Sequence, residues 1–261
     1  LALTLSVAAF ATHVVGGSLT YEHLGGATYR VTLKMYRDCS PGNAAFPASV
    51  RIEVRNVNGA SFAPDKDIVI NFPGATAVQP YIDTCAANPG LCLEEAIYTR
   101  VVNNMPPQPG GYHMFYQYCC RNSTLANVVN PLASGESWYA FVPDNSILIT
   151  NSSPVWVNPP PVFVCQGNPM NFDHGATDSD GDSLVYSYYT PYDDNAPTFP
   201  AGVATFPPIT WVGGFGPNNS CGGPNLTMSS TTGYITGAPP FLGQYVCGIK
   251  CEEFRNGNKI G

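Results

Sequence analysis

The stretch ATYRVTLKMYR, residues 27–37, alternates with a period of two: Tyr29, Val31, Leu33 and Met35 share one side of an extended chain, and Arg30, Thr32 and Lys34 share the other. Successive side chains of a strand point to opposite faces, so this pattern predicts a strand with one buried and one wet face. SVRIEVR, residues 49–55, repeats it with Val50, Ile52 and Val54 against Arg51, Glu53 and Arg55. Residues 18–24, 67–72, 96–102, 112–118 and 138–142 read as further strands, separated by turn-rich connections such as SPGN and NNMPPQPGG. A first unit over residues 12–150 is expected to be an antiparallel sandwich.

The rest of the chain has the same character. Gly 26 and Pro 25 in 261 residues argue against long helices, since Pro lacks a backbone donor and Gly costs chain entropy. NSSPVWVNPPP, residues 151–161, reads as a stiff linker into a second unit over 151–261. Its expected strands are 161–165, 170–172, 183–189, 209–212, 226–228, 234–236 and 244–251. The expected fold class is therefore all-β, with two tandem antiparallel β-sandwiches, the second of them read as truncated because NGNKIG carries no evident termination.

Charge narrows the function. A net charge of −7 excludes a general nucleic-acid binder, which needs a basic face to displace counterions. No Lys or Arg occurs between Asn122 and Ile249, against eight acids, so this stretch calls for spread carboxylates or a bound cation.

Residues 1–11, LALTLSVAAFA, resemble the end of a secretory signal peptide, with Ala9-Phe10-Ala11 as the cleavage signal and export as the consequence. No segment is long enough to span a membrane. Nine cysteines suit an oxidising compartment: Cys39, Cys85, Cys92, Cys119, Cys120, Cys165, Cys221, Cys247 and Cys251. Cys85 and Cys92 can close a short loop. Cys119 and Cys120, if they lie in a strand, point to opposite faces and take different partners. Cys247 and Cys251 stand too far apart along a strand to bond each other.

The segment with clear chemistry is FDHGATDSDGDSLVYS, residues 172–187. Asp178, Asp180 and Asp182 at i, i+2 and i+4 crowd three carboxylates, and hard oxygens at that density suit Ca²⁺. An EF-hand is excluded: counting from Asp178, position six is Ser183 and position twelve is Tyr189. Ligands must come from elsewhere, with Asp173, Asn151 or a backbone carbonyl as candidates. The alternative is a polar turn whose aspartates bond only to their own backbone.

ATDSDGDSLVYS resembles the A-x-D-x-D-G-D-x-L-x-Y signature of cadherin-like and dystroglycan-type immunoglobulin-like domains, and TTGYITGAPPFLGQYVCGI resembles the stretch that follows in them. The resemblance implies Ca²⁺ at Asp178, Asp180 and Asp182. THVVGGSLTYEHLGGATYRVTLKMYRDC, GYHMFYQYCCRNSTLANVVNP, FDHGATDSDGDSLVY and EFRNG, in that order, are similar to a family of large secreted Bacteroidetes surface proteins, labelled gliding-motility-associated or PKD-domain-containing and exported by type IX secretion.

Catalytic signatures are weak. Asp173 and His174 with Ser183 or Ser187 suggest a triad only by sequence proximity, and adjacent acids such as Glu252-Glu253 point to opposite faces of a strand. The sequence is read as a non-enzymatic, calcium-stabilised structural or adhesive module of a cell-surface protein, with surface glycans, other surface proteins or further copies of itself as partners. A carbohydrate-binding or accessory domain of a secreted hydrolase, stacking sugars on Tyr186, Tyr188, Tyr189, Tyr192, Trp211 or Phe215, is one alternative. A self-assembling extracellular fibre subunit is the other.

Overall fold

The computed structural model describes residues 14–41, 43–61, 67–79, 92–148, 150–159, 163–222 and 226–261. The expected leader at 1–11 and Cys85 lie outside them.

Among these residues the regular structure is mostly strand, with three short 3-10 turns as the only helix. The first half contributes β1 (Val14–Gly25), β2 (Thr28–Asp38), β3 (Ser49–Asn56), β4 (Asp67–Asn71), β5 (Thr76–Ala77), β6 (Leu93–Val102), β7 (Tyr112–Tyr118) and β8 (Glu136–Val142). The second contributes β9 (Val155–Trp156), β10 (Met170–Asp173), β11 (Ala176–Thr177), β12 (Ser183–Tyr189), β13 (Leu226–Met228), β14 (Tyr234–Gly237), β15 (Gly248–Arg255) and β16 (Asn258–Lys259). Every ladder between them is antiparallel.

Two four-stranded sheets, β1-β2-β6-β5 and β4-β3-β7-β8, enclose the main core. The alternation of residues 27–37 decides which side faces in: Tyr29, Val31, Leu33 and Met35 are all buried, opposite Val50, Ile52 and Val54 of the other sheet. Burying each such side chain contributes about 1.5–3 kcal/mol. On the outer face Arg30 pairs with Glu22 across β1, and Thr32 bonds Thr99 across β6. The β1–β2 turn needs Gly26, whose φ of 57° is the left-handed region that side chains disfavour.

The second half builds smaller sheets, β10-β14-β13, β12-β15-β16 and the pair β9–β11, around Met170, Phe172 and Ile235. Residues 209–212 form no strand, contrary to expectation. Trp211 meets Val128 and Pro208 meets Tyr192 through single bridges. Pro207 and Pro208 remove two consecutive donors, so no ladder can propagate there. Of the expected strand at 161–165, only 163–165 are described, with Phe163 in a single bridge.

The two halves interlock. β7 is buried on both faces, because Phe206 packs edge-on against Phe115 at 5.3 Å and Tyr139 at 5.4 Å, while Phe199 lies 5.5 Å from His113. In the other direction, residues 126–129 bond to Thr210, Val212 and Gln244. The expected linker is not a solvated spacer either. Asn151, Ser152 and Ser153 are buried, and they bond along the free edge of β1: Tyr21 N–H donates to Ser153 Oγ at 2.8 Å, His23 N–H to Ser152 Oγ at 3.1 Å, and Ser153 N–H to Tyr21 O at 2.9 Å.

Cys92 pairs with Cys39, not with Cys85, joining the end of β2 to the start of β6 where Asp38 already faces Leu93. Cys119 and Cys120 are bonded to each other. The expectation of separate partners assumed a strand, and β7 ends at Tyr118. Cys165 is also disulfide-bonded, while Cys221, Cys247 and Cys251 are free thiols.

Candidate cation site

The acidic loop after β11 turns back into β12 at Gly181, whose φ is 80°. Asp178 organises the turn, with Oδ1 accepting the N–H of Asp180 at 2.9 Å and of Asp182 at 2.8 Å. These are bonds within the turn, as the alternative reading expected, but they use one carboxylate oxygen only. Asp178 Oδ2 is buried and has no hydrogen-bond partner.

β15 lies beside β12 and brings a fourth carboxylate to the loop, with Ser183 opposite Phe254 and Leu184 opposite Glu253. Glu252 and Glu253 do point to opposite faces. Glu252 pairs outward with Lys250 and Lys259, whereas Glu253 is 3% exposed and points inward. One carboxylate oxygen from each of Asp178, Asp182 and Glu253 falls within a 4.8 Å cluster. Burial, reinforced by Asp178, Asp182 and Asp180, pushes the Glu253 carboxyl up to about 8.

The expected ligand set is therefore altered. Asp178 and Asp182 belong to the cluster and Glu253 joins them. Asp180 turns away, its Oδ2 accepting the Ser152 N–H at 2.6 Å, which fastens the loop to the edge of β1. Asp173 caps its own turn by accepting the Gly175 N–H at 2.9 Å. Asn151 borders the cluster. Its Nδ2 donates to Glu253 Oε1 at 3.1 Å and to the Tyr21 hydroxyl at 2.8 Å, and its Oδ1 accepts from Arg255 at 2.9 Å.

Arg255 supplies a counter-charge that the all-acidic run from 122 to 249 lacks. Its Nε and Nη2 grip the two oxygens of Asp182 at 2.6 Å each, and its Nη1 reaches Thr150 O at 2.9 Å. A divalent ion is thus not the sole way to balance this loop. The cluster's donors, the free Asp178 Oδ2 with Glu253 and the Arg255-held Asp182, are hard oxygens of the kind Ca²⁺ takes, and Asp178 also lines a groove with Tyr21, Ser152 and Thr177. The residues fit a hard cation that competes with a proton at Glu253 and with Arg255 at Asp182.

Of the residues whose proximity suggested a triad, Asp173 accepts the Gly175 N–H and His174 sits among aromatic rings. His174 stacks on Trp156 with ring centroids 4.4 Å apart, burial lowers its pKa to about 4, and its Nδ1 has no hydrogen-bond partner. Several of the aromatic residues considered for sugar stacking already have partners within the protein. Tyr186 is buried with its hydroxyl on Ala176, Tyr189 and Tyr192 lead into Phe206, and Trp211 donates to Thr190 Oγ1 at 3.1 Å. No protein-family model, curated protein or solved structure matches the chain.

Proposed function

We propose that the chain is a non-enzymatic, calcium-stabilised structural or adhesive module of an exported cell-surface protein, built as two tandem immunoglobulin-like sandwiches. The observation that carries this reading is the cluster of Asp178, Asp182 and Glu253 oxygens within 4.8 Å, with Asp178 Oδ2 buried and unpartnered beside it. Ca²⁺ there neutralises carboxylates from β12, its leading loop and β15. Through Asn151 and Asp180 it also stiffens the attachment of the second half to the edge of β1. Surface glycans, other surface proteins and further copies of the chain are the partner classes for such a module.

Titration of the chelator-treated protein with Ca²⁺, followed by calorimetry and thermal unfolding, tests this. Ca²⁺ at a hundredfold excess over its Kd raises Tm by about 5–10 °C. Asp178→Asn abolishes the rise. A melting curve indifferent to Ca²⁺ overturns the reading.

A further inference from the structure

Three free thiols remain among the described residues, and two of them are brought together by one buried side chain. Asn127 is fully buried in the loop that leaves β7. Its Nδ2 donates to Ser220 O at 2.9 Å and to Val246 O at 2.8 Å, and its Oδ1 accepts the Val246 N–H at 3.1 Å. Those two carbonyl oxygens therefore lie within about 6 Å of each other, and each belongs to the residue just before a cysteine. The Ser220 side chain interacts with both thiols, and the Tyr188 hydroxyl senses both. Tyr188 Oη is itself buried without a hydrogen-bond partner, so it does not hold the thiols apart by binding one of them.

We propose that Cys221 and Cys247 form a disulfide in the oxidised protein. Disulfides need Cα atoms about 4–7 Å apart, which suits two chain segments clamped at adjacent residues by a single amide. Cys247 is exposed and Cys221 half-buried, so an oxidant can reach the pair. The oxidant is a disulfide-bearing molecule. One cysteine thiolate attacks its sulfur and expels a thiolate, giving a mixed disulfide, and the second cysteine thiolate then displaces the other half. Two thiol protons leave, one disulfide forms in the protein, and the oxidant is reduced to two thiols. The bond ties the 217–222 loop to the entrance of β15, and so to the strand that carries Glu253 and Arg255, yet it does not depend on calcium binding.

The test is peptide mapping of the intact chain after incubation in a glutathione redox buffer and alkylation of free thiols. The expected result is a Cys221–Cys247 cross-linked peptide that separates on reduction, with Cys251 alkylated. In Cys221→Ser, Cys247 becomes alkylated. Alkylation of both Cys221 and Cys247 in the oxidised wild-type protein overturns the proposal, as does Cys247 linked to any other cysteine or to a second copy of the chain.

Discussion

The guanidinium of Arg255 holds the carboxylate of Asp182 through two parallel bonds of 2.6 Å, across 73 residues of sequence. The Asp182 side chain is 2% exposed, so among the described residues Arg255 is the fixed positive charge that the buried end of the acidic loop meets. Bidentate, charge-assisted pairs of this kind are strong only while both partners remain.

Removal of that partner strands a buried anion. Arg255→Ala is expected to destabilise the calcium-free protein by about 2–3 kcal/mol in urea unfolding. Calcium restores part of the loss, because the ion then has Asp182 to itself. If the variant binds Ca²⁺ more weakly than the wild type, Asp182 is not a shared ligand.

Glu253 makes stability depend on pH. Its folded pKa, about 8, lies above the ordinary carboxyl value of 4.5, so the folded state holds a proton that the unfolded state releases. The contribution is fully present below about pH 4.5 and is lost as pH rises toward 8, a change on the order of 4–5 kcal/mol. Unfolding free energies measured across this window without calcium should fall, and Glu253→Gln should flatten the slope. The same proton competes with a cation, so calcium affinity should rise with pH over the same range.

Ser153→Ala removes the acceptor of the Tyr21 N–H on β1. The expected cost is about 1–2 kcal/mol, with faster hydrogen exchange at the Tyr21 amide than at Val31 in the interior. Unchanged exchange would mean that the 151–153 segment does not protect this edge.

Phe206 is 4% exposed and touches Phe115, Tyr139 and Tyr192. Phe206→Ala is expected to cost about 3–5 kcal/mol. It should also separate one thermal transition into two, since the side chain joins β7 and β8 to the 190–206 segment. A single, merely lowered transition would show that the remaining contacts keep the halves coupled.

The strands were legible where one face is buried and the other is wet. Residues 27–37, 49–55 and 112–118 all lie where their alternation or β-forming composition put them. The extra cover on β7 was not legible, because Phe199 and Phe206 arrive from more than 80 residues away and leave no periodic trace. Residues 209–212 looked like a strand by composition, but the preceding prolines set their backbone. At the acidic loop, Asp178 and Asp182 were readable from spacing alone. Glu253 was hidden in an adjacent pair of acids, and only the β12–β15 register shows which of the two turns inward. Arg255 was missed for the same reason: charge counted along the chain does not reveal charge that meets across a sheet.

Because Ser152 and Ser153 already occupy the outer rim of β1 at Tyr21 and His23, the amides of those two residues are closed to an incoming strand. A lattice or filament of these molecules would therefore not add a strand at that end of β1, and the carboxylates beside it would stay free of neighbours joined in that way.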